Sequence, residues 1–214
     1  MRAVRNLGAA MVLGLGAAQA DPVTIAALGD SLTQGYGLVT EDGFVPQLQD
    51  WLTAQGVDAR VLNAGVSGDT TQGGLSRVGW TLTPDVDAMI VTLGGNDLLR
   101  GIDPTVSRAN LDGILQAASA ADVQVMLVGL SAPGNYGPDY KRDFEAMYLD
   151  LAAQYGALYV PSFMAPLSAM AEEPGAFGKY MQADGMHPNA AGVALIVAAI
   201  GPVVLELVEQ AKAD

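Results

Sequence analysis

Val23-Thr24-Ile25-Ala26-Ala27-Leu28, followed by Gly29-Asp30-Ser31-Leu32, is the stretch that decides the fold. The run is short, apolar and without polar alternation, so it reads as a strand buried on both faces, the kind found in parallel sheets. Gly29 ends it, and Asp30-Ser31 begins a polar turn at its carboxyl end. The same unit, strand and then helix, recurs down the chain. Phe44 to Gln55 reads as a helix closed by Gly56, Ala59–Ala64 as a second strand, and Gln72–Trp80 as a short helix. Asp87–Leu93 is a third strand. Asp103-Pro104 opens a helix to about Ala121, with Asp103 as its cap and Pro104 in the first position, where no N–H is needed. Gln124–Leu130 makes a fourth strand, Pro138–Gln154 a helix, Ala157–Val160 a fifth strand, and Asn189–Lys212 a long last helix. Five such units predict an α/β fold, a five-stranded parallel sheet with helices on both faces joined by right-handed crossovers. No repeat, low-complexity run or linker interrupts it, so residues 21–214 are expected to form one domain.

Composition narrows the chemistry. The 214 residues are 50% hydrophobic, which argues against disorder, and contain no cysteine and one histidine, His187. Thiol nucleophiles, disulfides, thiolate zinc sites and His-rich metal sites are thereby excluded. A formal charge of -13 works against nucleic-acid backbones and anionic membrane surfaces, which need clustered Lys and Arg.

Residues 1–20 read as an export signal. Arg2 and Arg5 precede an uncharged apolar stretch from Leu7 to Ala18, too short to span a bilayer, and Ala18-Gln19-Ala20 offers the small residues that a signal peptidase reads. Cleavage after Ala20 would leave an acidic periplasmic or secreted protein. No later stretch reads as a transmembrane helix, because Ala194–Val208 is short and followed by a polar end, so stable membrane insertion is not expected.

In a sheet of this type the ligand site lies beyond the carboxyl ends of the strands, where strand order reverses. The loops expected there are rich in small polar residues: Gly29-Asp30-Ser31-Leu32, Asn63-Ala64-Gly65-Val66-Ser67-Gly68-Asp69-Thr70 and Gly94-Gly95-Asn96-Asp97, joined late in the chain by Asp184-Gly185-Met186-His187-Pro188. Ser31, exposed above the sheet edge, is placed as a nucleophile. A hydroxyl needs a base to take its proton, and His187 is the available imidazole. Asp184 stands three residues earlier, on the same side of a tight turn, where its carboxylate accepts the Nδ1 proton and leaves Nε2 for Ser31. The Ser31 and Gly68 backbone N–H groups and the Asn96 side-chain amide are the candidate donors to a developing oxyanion.

These blocks, with the serine, glycine, asparagine and histidine at Ser31, Gly68, Asn96 and His187 in that chain order, resemble the GDSL, or SGNH, hydrolases. Gly94–Gly101 and Asn135-Tyr136-Gly137 look like the bacterial periplasmic branch of thioesterase I, lysophospholipase L1 and arylesterase. The resemblance covers nearly all of residues 21–214. It implies a three-layer flavodoxin-like fold with strand order 2-1-3-4-5, a monomer, and hydrolysis of small acyl esters or thioesters without metal or cofactor. Phe163–Tyr180, the region that would shape acyl-chain selectivity, matches less.

Each residue also has a plainer reading. Ser31 is a good helix N-cap, His187-Pro188-Asn189 a good helix entry, Asp184 an ordinary surface acid and Asn96 a turn residue. Four such coincidences in the right order and loops are improbable together. Asp30 and Asp97 are read as structural acids that bond loop backbone N–H groups. Met164, Met170, Met181 and Met186 either line a flexible acyl groove or fill core. The nucleophile elbow G-x-S-x-G is absent, since Gly129-Leu130-Ser131-Ala132-Pro133 ends in proline. The alternative function is a flavodoxin-like mononucleotide binder, with Ser31-Leu32-Thr33-Gln34-Gly35 cradling a phosphate. That reading leaves Asn96, Asp184 and His187 without a role.

Overall fold

In the computed structural model, which describes residues 21–170, 175 and 177–213, the opening stretch forms β1 (Val23–Gly29), buried along its whole length. It lies between β2 (Ala59–Gly65) and β3 (Ala88–Thr92), parallel to both; β4 (Gln124–Val128) and β5 (Leu158–Val160) extend the sheet beyond β3. The strand order is β2-β1-β3-β4-β5, with every pairing parallel. The order reverses at β1. Loops from β1 and from β2 and β3 on either side therefore diverge at one sheet edge and leave a crevice between them.

Helices α1 (Ser31–Gln34), α2 (Phe44–Ala54), α3 (Thr71–Thr81), α4 (Gly95–Leu99), α5 (Pro104–Ala120), α6 (Pro138–Tyr155), α7 (Ala165–Ser168) and α8 (Ala190–Ala213) alternate with the strands. α2 and α8 pack together on one face of the sheet, and α3, α5 and α6 in sequence on the other. Asp103 caps α5 as its sequence predicts, its carboxylate accepting from the Thr105 N–H at 2.8 Å. The core lies in both sheet–helix layers: Phe44 and Phe163 meet edge to face at 5.2 Å under α2, while Phe144 and Tyr148 of α6 are buried on the opposite side.

α8 lies where the sequence places the last helix, but is longer and more apolar than the stretch Ala194–Val208 alone suggests. Over 24 residues it is long and apolar enough to cross a membrane. Here Val193, Ile196, Val197, Ile200, Val204 and Leu207 are buried at helical spacing, and the helix serves as a core wall of the domain. The two helices nearest the crevice, α1 and α4, have four and five residues and leave no periodic signal in the sequence. The export-signal reading of residues 1–20 lies outside the described residues.

Candidate active site

Ser31 is the first residue of α1, directly beyond β1. The cap of that helix is Asp30, whose Oδ1 accepts from the Leu32 N–H at 3.0 Å. The serine hydroxyl is thus not spent on capping, and Ser31 Oγ stands 2.9 Å from His187 Nε2. On the far side of the ring, His187 Nδ1 lies 2.7 Å from Asp184 Oδ2. The other carboxylate oxygen of Asp184 accepts from the backbone N–H groups of Met186 and His187 at 2.9 and 3.0 Å. The His187 amide, its imidazole and the Met186 amide, in that order, hold the Asp184 carboxyl down at about 2. An ionised Asp184 at Nδ1 selects the tautomer in which Nε2 is free to accept the serine proton.

The loop carrying this pair is closed on itself. Met181 and Pro188 form an antiparallel bridge, and Gln182 N–H donates to the His187 carbonyl at 2.8 Å. The Gln182 side-chain amide donates to the carbonyls of Tyr36 and Pro188 at 2.8 and 3.0 Å, tying the loop to the segment after α1. The Tyr36 ring lies against the imidazole, 4.8 Å between centroids at 42°. Asn189, next along, donates its side-chain amide to Lys179 and Met181 carbonyls and accepts from Gly192 N–H, so it starts α8 as the plainer reading of that segment expects.

Gly68, Asn96 and Ser31 all line the crevice. Gly68 has φ +85, left-handed backbone that favours glycine, and its carbonyl accepts from Arg100 Nη2 at 2.9 Å. Among the described residues, the Ser31 and Gly68 N–H groups donate to no protein acceptor. Asn96 belongs to α4 and is no turn residue; the left-handed position is Gly94, at φ +119. Asn96 Nδ2 donates to Asp30 Oδ2 at 3.3 Å. Asp97 is fully buried and accepts from Thr71 N, Thr71 Oγ1 and Ser107 Oγ at 2.8, 2.6 and 2.9 Å, locking α3, α4 and α5 together. Burial, against the opposing hydrogen bonds and the nearby His187, pushes Asp30 up to about 6.

The crevice opens into a cleft of about 640 Å³ with walls dominated by Leu32, Leu98, Leu130, Met164, Phe177 and Met181. Among the methionines singled out in the sequence, Met164, Met181 and Met186 border it and Met170 does not. Met181 is also core, at 7% exposure, so one residue serves both readings. Among the described residues of Phe163–Tyr180, Met164, Ser168 and Phe177 reach the cleft, while Phe163 is buried in the core against Phe44.

Three supporting residues leave no mark in the sequence. Tyr36 and Gln182 hold the histidine loop. Arg77 donates to the carbonyls of Gly29 at 2.8 Å and Ala64 at 2.6 Å and pairs with Asp69 at 2.6 Å, fixing the ends of β1 and β2 beneath the site. No group of His, Asp or Glu among the described residues is arranged to hold a metal ion.

Residues 27–195 match the GDSL-like Lipase/Acylhydrolase family. The chain belongs to this family. Among GDSL relatives, Esterase TesA of Pseudomonas aeruginosa is 40% identical over 183 residues, covering 85% of this chain and 88% of the relative. Thioesterase 1/protease 1/lysophospholipase L1 of Escherichia coli is 37% identical over 180 residues, 84% of this chain and 81% of that one. The crystal structure of AlinE4, an SGNH-hydrolase family esterase, superposes with a TM-score of 0.70 at 41% identity, covering 88% of this chain and 97% of the other. The mononucleotide alternative finds no support. In the GDSL loop itself, the N–H groups of Leu32, Gln34, Gly35 and Tyr36 are bonded to Asp30 and Ser31, and the buried Asp30 carboxylate would face any phosphate placed there.

Proposed function

We propose that this chain is a serine carboxylic ester hydrolase that works through an acyl-Ser31 intermediate on small acyl or aryl esters, with thioesters and lysophospholipids within the same chemistry. The relay Asp184–His187–Ser31, opening onto an apolar cleft, is the observation that carries the reading. His187 Nε2 takes the Ser31 proton as Oγ attacks the ester carbonyl. The resulting oxyanion is held by the Ser31 and Gly68 N–H groups and the Asn96 amide, and His187 returns the proton to the leaving alcohol. Water, deprotonated by the same imidazole, attacks the acyl-serine; the bond to Ser31 Oγ breaks, His187 returns the proton to that oxygen, and the acid is released. No metal or cofactor takes part in these steps.

Ser31→Ala is expected to lower turnover of a nitrophenyl ester by roughly 10⁴–10⁶-fold with the melting temperature unchanged. Turnover within ten-fold of the parent would remove Ser31 from its role. A series of nitrophenyl esters of increasing chain length, with phenyl acetate and a lysophospholipid beside them, ranks the substrates. Residues 1–20 are proposed as an export signal cut after Ala20, leaving a periplasmic or secreted monomer. N-terminal sequencing of the exported protein is expected to begin at Asp21.

A further inference from the structure

Asp30 is buried to 2% exposure beside the proposed nucleophile, yet no step above uses it. Its two carboxylate oxygens face different partners: Oδ1 accepts from Leu32 N–H at 3.0 Å, and Oδ2 from Asn96 Nδ2 at 3.3 Å. Space is cleared for this contact. A side chain at Gly95 would press against Asp30 Oδ2 at 3.2 Å, and one at Gly94 would meet the hydroxyl of Tyr148. That hydroxyl donates to the Leu93 carbonyl at 2.9 Å, so the backbone leading to Asn96 is anchored independently of Asp30. What remains undetermined by the backbone is the rotation of the Asn96 amide, because its N and O ends differ little in shape.

We propose that Asp30 is the positioning residue of the oxyanion site: its carboxylate, an acceptor on both oxygens, admits only the N–H₂ end of Asn96 and so turns that donor to the reacting oxygen. An Asn96 rotated by half a turn would set its carbonyl oxygen against a carboxylate in a buried place, where an unpaired polar contact costs most. The inference rests on the hydrolase reading of the same site. At neutral pH Asp30 is mostly ionised although burial raises it to about 6, and the charged or titratable groups around it are His187 and the Tyr148 phenol, both compatible with a carboxylate.

Asp30→Asn tests this directly. Asparagine keeps the volume and, through its own carbonyl, the cap on Leu32. It then presents N–H₂ to Asn96, which favours the reversed amide. The expected result is a fall in kcat of about 10²–10³, the size of a lost oxyanion donor, with KM within three-fold. Asp30→Ser, which also caps but leaves Asn96 undirected, is expected to lose a similar factor. The double variant Asp30→Asn with Asn96→Ala is expected to be no slower than Asn96→Ala alone. Multiplying losses would instead place Asp30's effect on His187 and overturn the proposal, as would a kcat within three-fold of the parent. A second readout does not depend on turnover. The Asn96 side-chain N–H resonances, assigned by their disappearance in Asn96→Ala, are expected to shift in Asp30→Asn, and unchanged resonances would overturn the proposal. Failure of the hydrolase reading would show separately, as retained turnover in Ser31→Ala.

Discussion

Asp184 and Asp30 are two carboxylates of one site pushed in opposite directions. Asp184 lies in an exposed turn and is bonded by the His187 amide, the His187 ring and the Met186 amide, which keep it at about 2. A carboxyl lowered on folding stabilises the fold above its unfolded value of about 4 and gives that up as pH falls toward its folded value. Asp184 therefore stays charged throughout the neutral range, and a loss of activity near pH 5 or 6 belongs to other groups. Asp184→Asn, which leaves the His187 tautomer unselected, is expected to lower kcat/KM by about 10³–10⁴ with little change in KM; retention of a tenth of the parent rate would contradict this. Asp30 runs the other way. Its charge is penalised chiefly by burial, with a value of about 6, so the wild-type fold carries a cost at pH 8 that fades as the pH falls from 6 toward 4. The melting temperature of Asp30→Asn relative to the parent is expected to be higher at pH 8 than at pH 4.5, and calorimetry at the two values reads the trend. An equal difference at both would place the Asp30 ionisation elsewhere.

The elements around the site divide by length. β1, α5 and α8 have enough residues for burial pattern, caps and periodicity to be read from the chain alone, and Asp103 caps α5 where its sequence places the start. α1 and α4 do not. They have four and five residues, exist because Asp30 caps one and Gly94 turns into the other, and hold Ser31 and Asn96 at the crevice. Gly94→Ala is expected to destabilise the protein by roughly 2–4 kcal/mol, since a side chain there is strained at φ +119 and runs into Tyr148, and to lower kcat through Asn96. Chemical denaturation and kinetics together check it; stability within 0.5 kcal/mol would show that the loop relaxes freely. Ile196→Ala on the buried face of α8, at 0% exposure, is expected to cost about 2–5 kcal/mol while leaving KM unchanged, because its cavity opens in the core away from the cleft.

Taken whole, the molecule assembles its site across most of its length. Ser31 and His187 stand 156 residues apart in sequence and 2.9 Å apart in space. The formal charge is -13, and among the described residues Arg60, Arg77, Arg108, Lys141, Arg142 and Lys212 are paired to acids, so little cationic charge is left there for a polyanion. The protein is expected to pass through a heparin column at 50 mM salt; retention there would reveal a surface that the charge distribution does not show. Much of this was legible beforehand. Alternating strands and helices are short-range patterns, and the single histidine with an acid three residues before it marks the only imidazole chemistry open to the chain. The sequence by itself determined the layer order, the loops that matter and the types of group in them. Only the tertiary structure decided which side chains hold those groups: Arg77 under β1 and β2, Arg100 on the Gly68 carbonyl, Tyr36 against the imidazole, and Asp30 on the amide of Asn96. Such contacts join elements that are neighbours in space and distant in sequence, and no local pattern encodes their partners.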